Sequence, residues 1–163
     1  MNIEPLFKLQ LELDEYVAKK LDIVDEFNFV EYVDKRIIAL KVEIAELANE
    51  VAFFFKYWKR SHVIDKEKTI EELADVMHFF LSVGHSRKYT FIRELDPLAW
   101  KKVPMEQLFQ YLMNNNFDSS GKWKNGFEQL ICIGFKLGYT ADEMVQAYKE
   151  KREKNFGRQK NGY

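Results

Sequence analysis

One long run of apolar residues at helical spacing constrains the fold of this chain more than any other feature. Its members recur at intervals of three and four: Val30, Val33, Ile37, Leu40, Ile44, Leu47, Val51, Phe54 and Trp58. This spacing puts all of them on one side of a helix and is typical of a helix packed lengthwise in a bundle. The sequence therefore predicts a long second helix that begins near Phe29 and carries an apolar seam as far as Trp58.

The other segments also have helical periodicity, and none alternates convincingly between apolar and polar residues. Pro5 suits the first turn of a first helix that ends near Lys20. Capping residues and breakers predict four further helices. The third begins between about Lys66 and Thr69 and ends near His85, and the fourth runs from Pro104 to Asn115. The fifth runs from Ser119 or Ser120 to Gly138, and the capping box Thr140-Ala-Asp-Glu143 opens the sixth. We expect an all-α bundle of about six helices, forming a single domain over residues 1–163.

Two acidic pairs lie on the long second and third helices and nearly repeat each other. Glu43-Ile-Ala-Glu46 borders the apolar seam of the second helix, and Glu72-Leu-Ala-Asp75 lies in the third. Residues three apart share one helix face, so two packed helices would bring four carboxylates together. Oxygen ligands favour a hard cation, and Mg²⁺ fits best because it is held by a few carboxylates together with water and phosphate. The pattern predicts a magnesium site.

Glu72 has a second interpretation. Thr69-Ile-Glu-Glu72 matches a capping box, in which Glu72 would only accept a hydrogen bond from a backbone N–H at the start of the helix. A helix that begins at Asp65 or Lys66 instead places Glu72 one turn inside, where its carboxylate is available to a metal. The position of the helix start decides between the two.

Composition and charge exclude several classes of protein. The 25 basic residues nearly balance the 26 acidic ones, so the chain lacks the strongly basic footprint of a general nucleic-acid binder. Cys132 is the single cysteine, which excludes a disulfide within the chain and a cysteine-ligated zinc site, and it reads as a core residue. No apolar run approaches the length of a membrane span. We expect a cytoplasmic protein with no nucleic-acid or membrane partner.

Three consecutive aromatic residues, Phe53, Phe54 and Phe55, predict a contact beyond the core of the chain itself. Three successive positions sweep about 200° around a helix, so these side chains cannot all face one core. We expect another copy of the chain to cover the second helix, most simply in an isologous homodimer.

Five motifs follow one another along the chain: Leu9-Gln10 with Asp14, Glu43-x-x-Glu46-Leu-x-Asn-Glu50, Lys56-Tyr-Trp-Lys59, Glu72-x-x-Asp75-x-x-His78-Phe, and Lys151 with Asn155-x-x-Arg158-Gln-x-x-Gly-Tyr163. Their content and order resemble the all-α dimeric dUTPase family, within the MazG-like superfamily of nucleoside triphosphate pyrophosphohydrolases. The acidic pairs alone indicate only the superfamily, whereas the C-terminal motif is more specific. The resemblance implies hydrolysis of dUTP to dUMP and pyrophosphate with two or more magnesium ions.

The resemblance also implies roles for individual residues. The implied metal ligands are Glu43, Glu46, Glu72 and Asp75. Glu43, Glu46 and Glu50 form an acidic stripe along the second helix. Glu46 is our choice for the group that takes the proton of the attacking water, because it lies centrally in this stripe. The implied phosphate-binding residues are Lys151, Asn155 and Arg158, with Lys56 and Lys59. For the base, Gln10 would read the uracil edge, and Trp58 and His78 would line the pocket.

The chain departs from the family pattern at Asp14, and other interpretations of some residues and of the function stay open. Asp14 stands where relatives often have asparagine, and a carboxylate cannot donate to a uracil carbonyl, so we leave it out of the site. Periodicity alone places Trp58 in the core and allows His78 to be structural. Two other functions stay open: a MazG-like enzyme that cleaves other or several nucleoside triphosphates, and a non-catalytic helical dimer that binds proteins. The second predicts that no magnesium binds.

Overall fold

The computed structural model describes residues 1–20, 32–61 and 63–160. The helices in this part of the chain are α1 (Glu4–Lys20), α2 (Val33–Glu50), α3 (Lys66–Ser86), α4 (Met105–Asn114), α5 (Ser120–Lys136) and α6 (Ala141–Lys160). Single turns of 3₁₀ helix, Ala52–Phe54 and Pro97–Trp100, lie in the connections. Strand pairing in the same residues is limited to an isolated bridge between Asn2 and Glu94. The expected all-α architecture is confirmed.

Helix α3 lies at the centre of the bundle, where it packs against α1, α2, α5 and α6. Apart from the partly buried Phe79, its apolar side chains from Leu73 to Val83 are buried around most of the helix, which is typical of a core helix. Gly84 allows a close approach, because a Cβ there would lie 2.8 Å from the rings of Phe7 and Trp123. Packing of α1, α2 and α6 around this central helix brings their polar edges toward one another.

The start of α3 decides how Glu72 is used. The carboxylate of Asp65 accepts a hydrogen bond of 3.0 Å from the backbone N–H of Lys68, and the helix begins at Lys66. Thr69 is therefore already inside the helix, and the capping-box interpretation of Glu72 is wrong. The competing expectation is confirmed: Glu72 lies more than a turn inside α3.

The boundary between α5 and α6 follows the local sequence as expected. Gly138 has a φ of +92°, the left-handed conformation expected of the glycine after a helix. Thr140 and Glu143 then form the predicted capping box: the Thr140 N–H donates to Glu143 Oε2 at 2.7 Å, and the Glu143 N–H donates to Thr140 Oγ1 at 3.2 Å. The glycine and the capping box could be predicted because they depend on residues that are close together in sequence.

The apolar seam is confirmed along α2 and just past its end, because Val51 is fully buried and Phe54 packs against the core. Its buried members include Val33, Leu40, Ile44 and Leu47. The helix ends at Glu50, and the chain turns through Ala52–Phe54. Trp58 lies beyond this turn with 63% of its surface exposed, so its prediction as a core residue is wrong, because the chain no longer follows helical spacing after Phe54. The predicted start near Phe29 and the seam residue Val30 lie outside the described residues.

Two expectations from composition can be compared with the structure. Cys132 is only 2% exposed within α5, as expected of a core residue. Among the described helices, none combines the length and the apolar character that crossing a membrane requires.

Candidate active site

A cavity of about 590 Å³ opens between α1, α2, α3 and α6. The predicted site residues that line it are Gln10, Glu43, Glu46, Glu72, Asp75, His78, Lys151, Asn155 and Arg158. On each helix these residues are spaced by three or four and so share one face. The cavity consequently has an acidic wall from α2 and α3, a wall from α6 that carries cations, and a neutral polar end near α1.

Three other predicted residues lie elsewhere. Lys56, Trp58 and Lys59 follow the 3₁₀ turn after α2 and are not among the described residues that line the cavity. The ammonium group of Lys56 donates to Asn49 Oδ1 at 2.5 Å, and the ring of Trp58 packs edge-on against Tyr57. Their assignment to the substrate stays a prediction, and the cavity of a single chain does not include them.

The acidic wall contains a group of three carboxylates that suits a cation. Glu43, Glu46 and Glu72 each offer an oxygen, and these oxygens all lie within 4.8 Å of one another. Burial, reinforced by the negative charges of Asp75, Glu46 and Glu72, raises the pKa of Glu43 to about 7. Burial and neighbouring carboxylates also raise the pKa of Glu72. Oxygen donors that repel one another at this spacing fit a hard divalent cation, which would relieve the repulsion.

Asp75, the fourth predicted ligand, is bound by a lysine. Lys151 Nζ lies 2.6 Å from Asp75 Oδ2 and 2.9 Å from Glu71 Oε1. The lysine side chain is only 8% exposed, so this contact is shielded from water. Burial raises the pKa of Asp75, and the hydrogen bond and charge of Lys151 act in the opposite direction. The structure thus groups three of the four predicted ligands and places the fourth against a predicted phosphate-binding residue.

Helix α6 forms the wall that faces the acidic group. It continues to Lys160, so the C-terminal motif is helical as far as the described residues extend. Lys151, Asn155 and Arg158 therefore lie on one face and all line the cavity. Arg158 is close enough to Asp75 for its charge to lower the pKa of that carboxyl, although burial outweighs it. Carboxylates and cations face each other across the opening.

Two buried, uncharged side chains lie at the inner end of the cavity. Gln10 is 3% exposed and His78 is 5% exposed. The Gln10 Oε1 atom lies 2.7 Å from His78 Nδ1 and accepts a hydrogen bond of 3.1 Å from the hydroxyl of Tyr148. Burial lowers the pKa of His78 to about 3, so the ring is uncharged at neutral pH. Such an end suits a ligand recognised through hydrogen bonds rather than through charge.

Of the lining residues that the predicted site lacks, Asp14, Arg36 and Ser82 form a polar cluster near Gln10. Ser82 Oγ donates to Asp14 Oδ2 at 2.7 Å, and an Arg36 guanidinium nitrogen lies 4.0 Å from the same oxygen. Helical spacing was the available signal, because Asp14 follows Gln10 by one turn and Ser82 follows His78 by one turn. The structure corrects the omission of Asp14, which is part of the cavity wall.

A cavity with a cation-binding wall on one side and a cationic helix on the other can hold a polyphosphate from two directions. Together with the helical bundle, such a cavity is typical of all-α hydrolases that act on phosphorylated substrates. The family model for dUTPase matches residues 2–163. The chain belongs to the dUTPase family, and its activity is that of a dUTP diphosphatase. Among curated proteins, no match was found.

Proposed function

We propose that this chain hydrolyses dUTP to dUMP and pyrophosphate with magnesium, in the cavity between α1, α2, α3 and α6. One observation carries the proposal: the carboxylates of Glu43, Glu46 and Glu72 converge opposite the cations of α6, with a neutral, buried hydrogen-bonding end between them. A triphosphate needs both the acidic wall and the cations of α6, and a nucleobase suits the hydrogen-bonding end.

Glu43, Glu46, Glu72 and Asp75 are the proposed ligands of two or more magnesium ions. When bound, magnesium neutralises charge on the triphosphate and lowers the pKa of a coordinated water. The closeness of the three carboxylate oxygens supports this ligand set. Asp75 joins it once Lys151 leaves the 2.6 Å contact that it makes with Asp75 Oδ2.

Glu46 is the proposed acceptor of the proton from the attacking water. Among the three converging carboxylates its residue is the exposed one, whereas Glu43 and Glu72 are partly buried, so water has access to Glu46. A carboxylate in hydrogen-bond reach of the water can accept its proton as the bond to phosphorus forms. On the opposite wall, Lys151, Asn155 and Arg158 would hold the phosphates, and the arginine can do so with two parallel hydrogen bonds.

Base recognition is assigned to the neutral end. Gln10 and His78 are proposed to contact uracil, where unpaired buried polar groups would penalise a base with the wrong edge. Lys56, Trp58 and Lys59 remain proposed substrate contacts. Because they lie outside the cavity of the single chain, they would reach the substrate of a second copy or move with the segment after α2.

A homodimer is part of the proposal. Ile38 and Val42 lie one turn apart on α2 and are 65% and 49% exposed, and the exposed side chains of Phe53, Phe55 and Trp58 follow in the next segment. Apolar exposure continued over α2 and the following turn is typical of a surface that another protein covers. We also propose that residues 1–163 form one domain. The cytoplasmic location stays a prediction.

Product analysis tests the proposal directly. The purified protein is incubated with dUTP, dTTP, dCTP, dATP and UTP, with and without magnesium, and phosphate products are separated. We expect dUTP alone to give its monophosphate and pyrophosphate, and only with magnesium. Cleavage of several nucleotides would favour the MazG-like alternative and contradict the uracil assignments. Absence of any cleavage would favour the non-catalytic, protein-binding dimer.

A further inference from the structure

A chain of buried polar contacts crosses the inner end of the cavity, from Asp14 through Gln10 and His78 to a backbone carbonyl of α6. The amide nitrogen of Gln10 lies 2.9 Å from Asp14 Oδ1, and its oxygen lies 2.7 Å from His78 Nδ1. The other ring nitrogen, Nε2, lies 3.2 Å from the carbonyl oxygen of Tyr148. All three side chains are at most 8% exposed, so water has little access to their polar atoms.

The two contacts of the His78 ring set a condition on its protons. The carbonyl of Tyr148 can only accept, so Nε2 must carry a proton to bond with it. With the Gln10 oxygen turned toward the ring, Nδ1 also faces an acceptor. A neutral imidazole has one N–H, so both contacts are hydrogen bonds only when His78 is a cation. In this amide orientation, a buried His78 cation would accompany a buried Asp14 carboxylate.

Rotating the Gln10 amide by 180° exchanges its oxygen and nitrogen without moving any other atom. The amide nitrogen then donates to an unprotonated His78 Nδ1, while the amide oxygen faces Asp14 at 2.9 Å. That second contact is a hydrogen bond only if Asp14 carries a proton. The Tyr148 hydroxyl can follow by donating to the Leu6 carbonyl oxygen, 3.4 Å away. The proton count is unchanged, because the proton has moved from His78 to Asp14.

Burial favours the neutral arrangement. Two charged groups without water cost more than two neutral groups with the same number of hydrogen bonds. Burial raises the pKa of Asp14 and lowers the pKa of His78. The charges that face the network are Arg36 from α2 and His85 from α3 near Asp14, and Lys151 and Arg152 from α6 near His78. The cations of α6 oppose a charged His78. Arg36 favours a charged Asp14, but at 4.0 Å it acts from beyond hydrogen-bond distance of that carboxyl.

We infer that Asp14 is a specificity-determining positioning residue: protonated in the resting enzyme, it donates to the Gln10 oxygen and fixes the amide in the rotated orientation. Gln10 then offers a carbonyl acceptor, rather than an N–H donor, on the side of the cavity that Asp14 lines. Uracil carries an N–H at position 3, where cytosine has an acceptor nitrogen. A fixed acceptor therefore favours the uracil edge and opposes the cytosine edge. This inference rests on the proposed function.

The protonation of the His78 ring is the first readout, because the neutral arrangement requires a proton on Nε2 and none on Nδ1, whereas the charged arrangement requires both. The chain has three histidines, so nitrogen-15 spectra of the full-length protein are simple, and comparison with His78→Gln identifies the His78 signals. We expect a neutral ring protonated at Nε2 in the wild-type protein. A ring protonated at Nδ1, or at both nitrogens, would overturn the inference.

Two variants of Asp14 form the second readout. Asp14→Asn is neutral, has the same shape and can still donate to the Gln10 oxygen, so we expect it to keep the wild-type preference for dUTP over dCTP in kcat/KM. Asp14→Leu removes the donor, and we expect the preference to fall by about tenfold or more. If Asp14→Asn loses as much preference as Asp14→Leu, the inference is wrong. If the wild-type protein does not cleave dUTP, the proposed function fails, and the His78 tautomer still tests the position of the proton.

Discussion

The ammonium nitrogen of Lys151 lies 2.6 Å from Asp75 Oδ2, so a side chain of α6 neutralises one of the four carboxylates that the sequence predicts as metal ligands. The lysine is positioned by a second carboxylate, because Glu71 Oε1 lies 2.9 Å from the same nitrogen. A cation bound beside Asp75 would compete with this ammonium group, and a bound phosphate would attract it. Lys151 can therefore stabilise the acidic wall before substrate arrives and contact the phosphates afterwards.

This relationship predicts opposite effects of Lys151→Met on two ligands. Without nucleotide, magnesium should bind about fivefold more tightly, because a competing ion pair worth about 1 kcal/mol is gone. The nucleotide should bind more weakly, because a phosphate contact is lost. Calorimetric titration with each ligand measures both. Lys149→Met, a change at an exposed position of the same helix, should leave both affinities unchanged. Unchanged or weaker magnesium binding by Lys151→Met would contradict the competition.

Glu46→Gln should remove most turnover and leave the fold intact. The amide cannot accept the proton of the attacking water, and loss of a general base typically lowers the rate by about 100-fold or more. Because the residue is exposed, the free energy of unfolding should change by no more than about 0.5 kcal/mol. Initial rates at saturating magnesium and urea unfolding measure the two effects.

Glu50→Gln is the matched control for that variant. Glu50 lies one turn further along the same acidic stripe, but its carboxylate pairs with Lys68 at 2.7 Å and belongs to no proposed ligand set. It should keep most of the wild-type turnover. Near wild-type turnover in Glu46→Gln would show that another group accepts the proton.

The elements that the sequence predicted well depend on neighbours along the chain. The capping box at Thr140 and the left-handed Gly138 are local patterns, and the structure has both as expected. The acidic pairs are local patterns as well, and three of their four carboxylates converge. The start of α3 remained open, because two local signals competed there. Trp58 was misplaced because periodicity alone does not show where a helix ends and turns.

The parts of the site that were not predicted depend on contacts between distant helices. The pairing of Lys151 with Asp75 joins α6 to α3, and the contacts of Asp14 with Arg36 and Ser82 join three helices. Spacing within each helix could indicate that these side chains share a face with known site residues. It could not show which face of the next helix they meet.

We expect charged substitutions on the exposed apolar surface of α2 to disrupt assembly of the homodimer. Replacing both Ile38 and Val42 with glutamate should convert the proposed homodimer to monomers of 19.5 kDa, because buried carboxylates without partners oppose association. Sedimentation velocity measures the change. Leu98→Glu is the control, since Leu98 is 64% exposed but lies on the 3₁₀ turn Pro97–Trp100. A wild-type protein that sediments as a monomer would contradict the homodimer itself.

His78 predicts a loss of stability on acidification. Its pKa is lowered to about 3 in the folded protein, from an ordinary value of 6.5. Below pH 6.5 the unfolded chain binds a proton at this residue that the folded protein does not bind, so protonation favours unfolding. The stabilisation is fully present above pH 6.5 and is lost as the pH falls toward 3, with a limiting slope of about 1.4 kcal/mol per pH unit. His78→Gln cannot titrate, and its free energy of unfolding should depend less steeply on pH between about 6 and 4. Urea unfolding of both proteins across this range measures the difference, and parallel curves would show that His78 is not held neutral by the fold.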